Sequence, residues 1–261
     1  VYQSALSTAQ IASHYSVGEA RRSSDTDTGS SYDSSVLGSG SLVDYWPLNG
    51  SLQNAKQTSG HDLNVSQTNF GGLSFQPDSA ITGSSQSWQV NPAVSTAGST
   101  TDTQQLVAQN DQSIDGTGTL ELWVKTPSPM KQVELAWNMS GGKGWALYLL
   151  SNGTIQWQHA SSSTRTVTTG NALAANTWYY INVTWRDDGN TSEYIYLNGS
   201  QVTTSYGNSR PTAPYDQASY PLHIGQSGTG GYGVRIAHVA WYSCYGDYYN
   251  NCGIANHYNN R

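Results

Sequence analysis

From Leu42 to about Tyr242 the sequence repeats one pattern: a short run alternating apolar with polar residues, closed by turn formers. Gly118-Thr-Leu-Glu-Leu-Trp-Val-Lys125 sets Leu120, Leu122 and Val124 against Glu121, Trp123 and Lys125. Period-two alternation sends successive side chains to opposite faces of a strand. Trp145-Ala-Leu-Tyr-Leu-Leu-Ser-Asn-Gly-Thr-Ile-Gln-Trp157 puts Asn-Gly between two apolar runs, and Glu193-Tyr-Ile-Tyr-Leu-Asn-Gly-Ser-Gln-Val202 repeats the device with Ile195 and Leu197 inward. Asn-Gly supplies the positive φ that a tight hairpin turn demands. Between them, Tyr179, Ile181, Val183 and Trp185 share one face. Strands with one apolar face need a second layer to bury it. The expected fold is therefore all-β, a two-sheet antiparallel sandwich.

Helical character is confined to the two ends. Ser7 and Gln10 form a capping box, Leu6 can staple onto Ile11, and Tyr15 follows Ile11 by one turn before Gly18. Near the other terminus Ile254-Ala-Asn-His-Tyr258 matches Ile11-Ala-Ser-His-Tyr15 at four of five positions. Asn250 stands where Ser7 caps the first copy, and Gly253 replaces Gln10. Residues 1–18 are thus expected to be the tail of an upstream repeat, a strand end plus a helix. Residues 19–41, rich in Ser, Gly and Asp and without periodicity, read as a linker. Residues 42–261 form the main domain. Order in the linker would require it to dock, on this domain or on a neighbouring subunit.

Composition narrows the partners. Only 11% of residues are charged, with net charge −6 and no basic stripe, so a nucleic-acid backbone would be repelled. The run Trp145–Leu150 is far too short to enter a membrane as a span. A wet, weakly charged surface suits an extracellular or virion setting. Cys244 and Cys252 lack metal-site spacing, which leaves a disulfide closing a short loop, with free thiols as the alternative. Seven Asn-x-Ser/Thr sequons occur. Asn49, Asn152 and Asn198 precede Gly and read as turns, leaving Asn64, Asn138, Asn182 and Asn190 as candidate glycosylation sites.

Four stretches, in order, resemble the laminin G-like (concanavalin A-like) jelly-roll family in its bacterial and viral form, over about residues 41–258. Leu42-Val-Asp-Tyr-Trp-Pro-Leu-Asn-Gly50 is similar to its opening strand and loop, and Gly118–Pro127 to a central strand. Asn176–Val202 resembles a Trp-led strand and hairpin, and Leu222–Ser243 the closing strands. The first fifteen residues resemble the helix that follows the last strand. The resemblance implies a jelly roll with a short helix at each end, and in some relatives calcium held by loop carboxylates. Here only Asp44, Asp111 and Asp115 lie near expected turns, a thin set for a cation wanting several oxygens. Where the family often carries an acidic pair, this chain has Ala237 and His238.

Catalytic signals are missing. No strand carries paired carboxylates at period-two spacing, as a glycosidase on such a sandwich would; Glu121 and Glu134 stand on separate segments. His238 is expected to be a hydrogen-bonded structural residue, and His14 and His257 to pack in the terminal helices. The Gly-rich runs 141–144 and 225–233 lack the Lys-Ser/Thr of a phosphate loop. What remains is a set of loop aromatics, Tyr206, Tyr215, Tyr220 and Tyr232, suited to stacking on sugars or to a subunit interface. Two functions stay open. The leading one is a non-catalytic structural subunit of an extracellular or virion-surface assembly, with neighbouring copies of itself or of its parent protein as partners. The other is a lectin-like module that binds cell-surface glycan.

Overall fold

The computed structural model describes residues 30–48, 52–56, 61–68, 74–76, 81, 87–90, 103–108, 117–161, 163–186, 193–208, 220–226, 233–245 and 252–261. The expected helix at residues 7–15, the start of the linker, and Asn49, Asp111, Asp115, Asn190, Tyr215, Tyr232 and Asn250 lie outside them.

In chain order the elements are α1 (Ser31–Leu37), β1 (Leu42–Trp46), β2 (Leu63–Thr68), β3 (Ser74–Gln76), β4 (Ser87–Val90), β5 (Thr103–Ala108), β6 (Gly118–Lys125), β7 (Val133–Ser140) and β8 (Lys143–Leu149). They continue with β9 (Ile155–Ala160), β10 (Thr164–Thr169), β11 (Trp178–Trp185), β12 (Glu193–Leu197), β13 (Ser200–Gln201), β14 (Thr204–Gly207), β15 (His223–Gln226), β16 (Val234–Tyr242) and α2 (Ile254–Asn259). The strands make two antiparallel sheets, the expected jelly-roll sandwich. The first runs β13-β12-β11-β6-β16-β4-β3, with β1 also paired to β16. The second runs β14-β10-β9-β8-β7-β15-β5-β2.

The alternation read from the sequence sets what lies between the sheets. Leu120, Leu122, Val124, Ile181, Val183 and Ile195 of the first sheet meet Leu147, Leu149, Ile155 and Val167 of the second. Four tryptophans fill the middle, with ring centroids of Trp145–Trp157 5.0 Å apart, Trp157–Trp185 5.1 Å and Trp185–Trp241 4.9 Å. At one expected Asn-Gly turn Asn198 and Gly199 both have positive φ; at the other, between β8 and β9, only Gly153 does.

One expectation needs correction. Part of the presumed linker is helical. Ser30 and Asp33 make a reciprocal capping box, a pattern present in the sequence but hidden in a Ser-rich run, and Tyr32, Asp33 and Val36 are buried. Helix α1 docks on this chain's own first sheet, joining Tyr45, Trp123, Tyr180, Tyr242 and Ile254 in a second apolar cluster. Glu121 and Trp123, on the polar side of β6 by alternation, are buried by that cover. The closing helix, in turn, begins after Gly253, which holds φ 74 and makes no side-chain cap. Cys244 and Cys252, 5.9 Å apart at Cα, are disulfide-bonded beside it.

Candidate functional site: the open face of the second sheet

The two outer faces of the sandwich differ. The first sheet's is roofed by α1 and α2 over a buried polar network. Tyr32 donates its hydroxyl hydrogen to Glu121, whose other oxygen lies 3.0 Å from His257 Nδ1. Tyr45 donates to Asp33 and lies 2.6 Å from His238 Nδ1. His238 reaches this face from a bulge in β16, with φ 51 and its amide bonded to the Pro47 carbonyl. Hydrogen bonds to His238, Ser30 and Tyr45 hold the Asp33 carboxyl below its usual range, although burial pushes it upward. Burial drives the tyrosines Tyr32, Tyr45, Tyr180 and Tyr242 well above their usual value. This network is sealed and structural, the role expected for His238 and His257.

Among the described residues no helix or strand packs over the outer face of the second sheet. Its outward positions follow from register. One row across the strands reads His223, Trp137, Ala146, Gln158 and Thr166. The next reads Glu134, Tyr148, Gln156, Thr168 and Ser205. Trp137 and His223 stack with ring centroids 3.8 Å apart and planes 9° from parallel. The Trp137 indole N–H donates to the Gly225 carbonyl at 3.1 Å, which fixes the ring. His223 Nδ1 lies 3.0 Å from the Pro221 carbonyl, an oxygen that can only accept. That bond places the hydrogen on Nδ1 and makes Nε2 an acceptor. Burial lowers the His223 pKa, so the ring is neutral at pH 7. Tyr148 is pushed up to about 12 by burial and by the Glu134 carboxylate, so its hydroxyl keeps its proton. Gln156 donates to Thr168 at 3.0 Å.

The result is an aromatic platform flanked by amides and hydroxyls. Glu134 is the one charged side chain among the described outward positions of β5, β7–β10 and β15. Glu121 lies under the helices of the other sheet, so the two glutamates flank no common bond.

The expected ligand residues fall elsewhere. Tyr206, 50% exposed on the edge strand β14, stacks under the Arg165 guanidinium at 4.5 Å. Arg165 and His159 in turn bind Glu193 across the sheets, at 2.6 and 2.9 Å. Tyr220 leads into β15, its carbonyl accepting from Asn138 Nδ2 at 2.7 Å. Strands β10, β9, β8 and β7 separate the two, roughly 24 Å at ordinary strand spacing, so they form no joint site. Asn138 and Asn182 are wholly buried strand residues and leave no room for an oligosaccharide in the folded chain; the side chain of Asn64 lies outside the described residues. Asp44 is not a turn residue but a buried part of β1, held by Asn54 and by His61 at 2.8 Å. Among the described residues no group of three or more acidic, His or Cys side chains could hold a metal ion. The platform was missed because it lies on strands. Its signal was the outward series Trp137, Gln156, Gln158, Thr166 and Thr168, too polar for a second buried face.

A laminin G-type family model of the concanavalin A-like lectin/glucanase superfamily matches residues 96–245. No curated protein matches in sequence. Among solved structures, domain 4 of AbnA, an extracellular arabinanase from Geobacillus stearothermophilus, in complex with arabinotriose, superposes with a TM-score of 0.62 at 12% identity, over 82% of this chain and 98% of that one. The binding domain of Paraclostridial Mosquitocidal Protein 1 gives 0.58 at 16% identity, over 84% and 52%. A botulinum neurotoxin type C structure, from work tying its cell entry to two ganglioside molecules, gives 0.56 at 15% identity, over 87% and 52%. The chain thus spans about half of each toxin structure. Family match and superposition agree with the two-sheet topology, and the chain belongs to the concanavalin A-like lectin/glucanase superfamily.

Proposed function

We propose that the chain is a non-catalytic, extracellular carbohydrate-binding module that takes a neutral glycan across the open face of its second sheet. The stacked Trp137–His223 pair carries this reading. A fixed aromatic plane can lie against a sugar ring while neighbouring amides and hydroxyls read its hydroxyl groups. His223 Nε2 would accept from a sugar hydroxyl, and Gln158, Thr166 and Tyr148 would extend contact along the two rows. One carboxylate and no cation among the described outward positions favour uncharged sugars over sulfated or uronic ones. The arabinotriose-bound arabinanase domain supports a neutral glycan; the neurotoxin structure, tied to sialylated and so anionic gangliosides, supports glycan recognition only in the broader sense. Placement of the glutamates on opposite faces supports a binder rather than a two-carboxylate hydrolase. The disulfide supports an oxidising, extracellular setting.

A structural-subunit role drew its strength from an ordered linker in need of a neighbour. Helix α1 is accounted for by its own domain, so glycan binding now leads. The test is a glycan array followed by calorimetry on neutral oligosaccharides. Trp137→Ala is expected to weaken binding about five- to thirtyfold, the order given by losing about 1–2 kcal/mol of ring contact. A blank array at millimolar sugar, or equal affinity in the variant, overturns the reading.

A further inference from the structure

The seat of α2 explains which letters of the duplicated sequence matter. Ile254 is buried in the outer cluster, and its carbonyl accepts from the Tyr180 hydroxyl at 3.2 Å. His257 is clamped between Glu121 on β6 and the Ser35 backbone of α1. Tyr258 stacks on Trp123 and Tyr180, with centroids 6.0 and 5.7 Å away, and rests on Gly199, where a Cβ would come within 3.1 Å of its ring. Spacing i, i+3, i+4 puts these three residues on one helical face. Asn256, the one position of the five from Ile254 to Tyr258 at which the two copies differ, is exposed. Within these five residues the sequence keeps those that face the sheet and varies one that faces solvent.

We propose that residues 6–15 are a second closing helix, which docks in the α2 seat of another laminin G-like domain of this kind. Ile11, His14 and Tyr15 take the places of Ile254, His257 and Tyr258. The entry differs. Gly253 needs its positive φ, and a Cβ there would lie 2.9 Å from His257 Nε2; the first copy carries Gln10 at that place, with Ser7 three residues before it as the capping box expected from the sequence. Because donor and seat lie on different parts of the chain, the contact is heterologous and links domains head to tail. This inference is independent of the glycan site.

A synthetic peptide of residues 1–18 tests it by mass action. The receptor is the full chain with His257→Ala and Tyr258→Ala to weaken α2, and His14→Ala and Tyr15→Ala to silence its own copy. At 1 mM, the peptide is expected to raise Tm by several degrees. If the receptor is unfolded alone, the peptide should restore its near-UV circular dichroism. A peptide with His14→Ala and Tyr15→Ala should be at least tenfold weaker. No effect at 1 mM, or an equal effect from the altered peptide, overturns the proposal.

Discussion

Replacing Glu121 by Gln should reverse the pH dependence of the helix-covered face. Glu121 is fully buried and receives Tyr32, His257 at 3.0 Å and, at 3.5 Å, Asn182. Burial alone would lower the His257 pKa, but the Glu121 charge and hydrogen bond, helped by the Ser35 carbonyl, raise it instead. The folded protein then holds a proton that the unfolded chain has released above about pH 6.5. Stability from this pair is fully present below that pH and is lost as pH climbs through the folded value. In Glu121→Gln the carboxylate is gone, and burial becomes the largest influence on His257. The imidazole then stays neutral in the fold, so its contribution grows as pH rises through about 6.5. At low pH the variant should lose about 3–5 kcal/mol, the cost of breaking a buried pair, and the gap should shrink toward high pH by up to about 1.4 kcal/mol per pH unit. Urea unfolding followed by tryptophan fluorescence from pH 5.5 to 9 gives the curve. His223, lowered by burial, titrates in both proteins and cancels in the difference. A difference that stays flat with pH would show that His257 carries no linked proton, and the clamp reasoning would fail.

Two other perturbations test the frame. A Cβ at Gly118 would lie 2.4 Å from the Trp185 ring, so Gly118→Ala should cost about 1–3 kcal/mol through overpacking, read by urea unfolding; an unchanged midpoint would mean that the tryptophan stack has slack. Changing Cys244 and Cys252 together to Ser removes a bridge spanning 8 residues and should cost about 2.5 kcal/mol on the loop-entropy estimate, with exchange rising first in α2 amides.

The sandwich was legible because hairpins announce themselves locally. Asn198-Gly199 fixes its turn, and the alternation of β6 and β11 fixes which face goes inward. Helix α1 was not legible as such, because seven residues in a Ser-rich run have little propensity and form only on a surface. Its capping box was written in Ser30 and Asp33, but its partners Tyr45, Glu121 and His238 come from distant strands. The Trp137–His223 pair was obscured for a related reason. Trp137 and His223 are 86 positions apart in sequence and become stacked only through the pairing of β7 with β15. The loop tyrosines were conspicuous because they are numerous; Tyr206 proved to be committed to Arg165.

The two outer faces account for each other. Outward positions on the first sheet hold Trp123, Tyr180, Tyr196 and Tyr242, a surface that water would not tolerate bare, and helices from both ends of the domain cover it. Covering it buries Glu121, Asp33 and two histidines, which must then be satisfied by one another. Outward positions on the second sheet hold Gln, Thr and Tyr, which water satisfies, so no cover is required. Among the described outward positions Val107, Met139 and Ala146 are also apolar, but Trp137 is the one large aromatic hydrocarbon surface, pinned through its indole N–H and stacked on a neutral histidine. Those contacts tie β7 to β15, and they hold in place the ring that the proposed sugar contact would use.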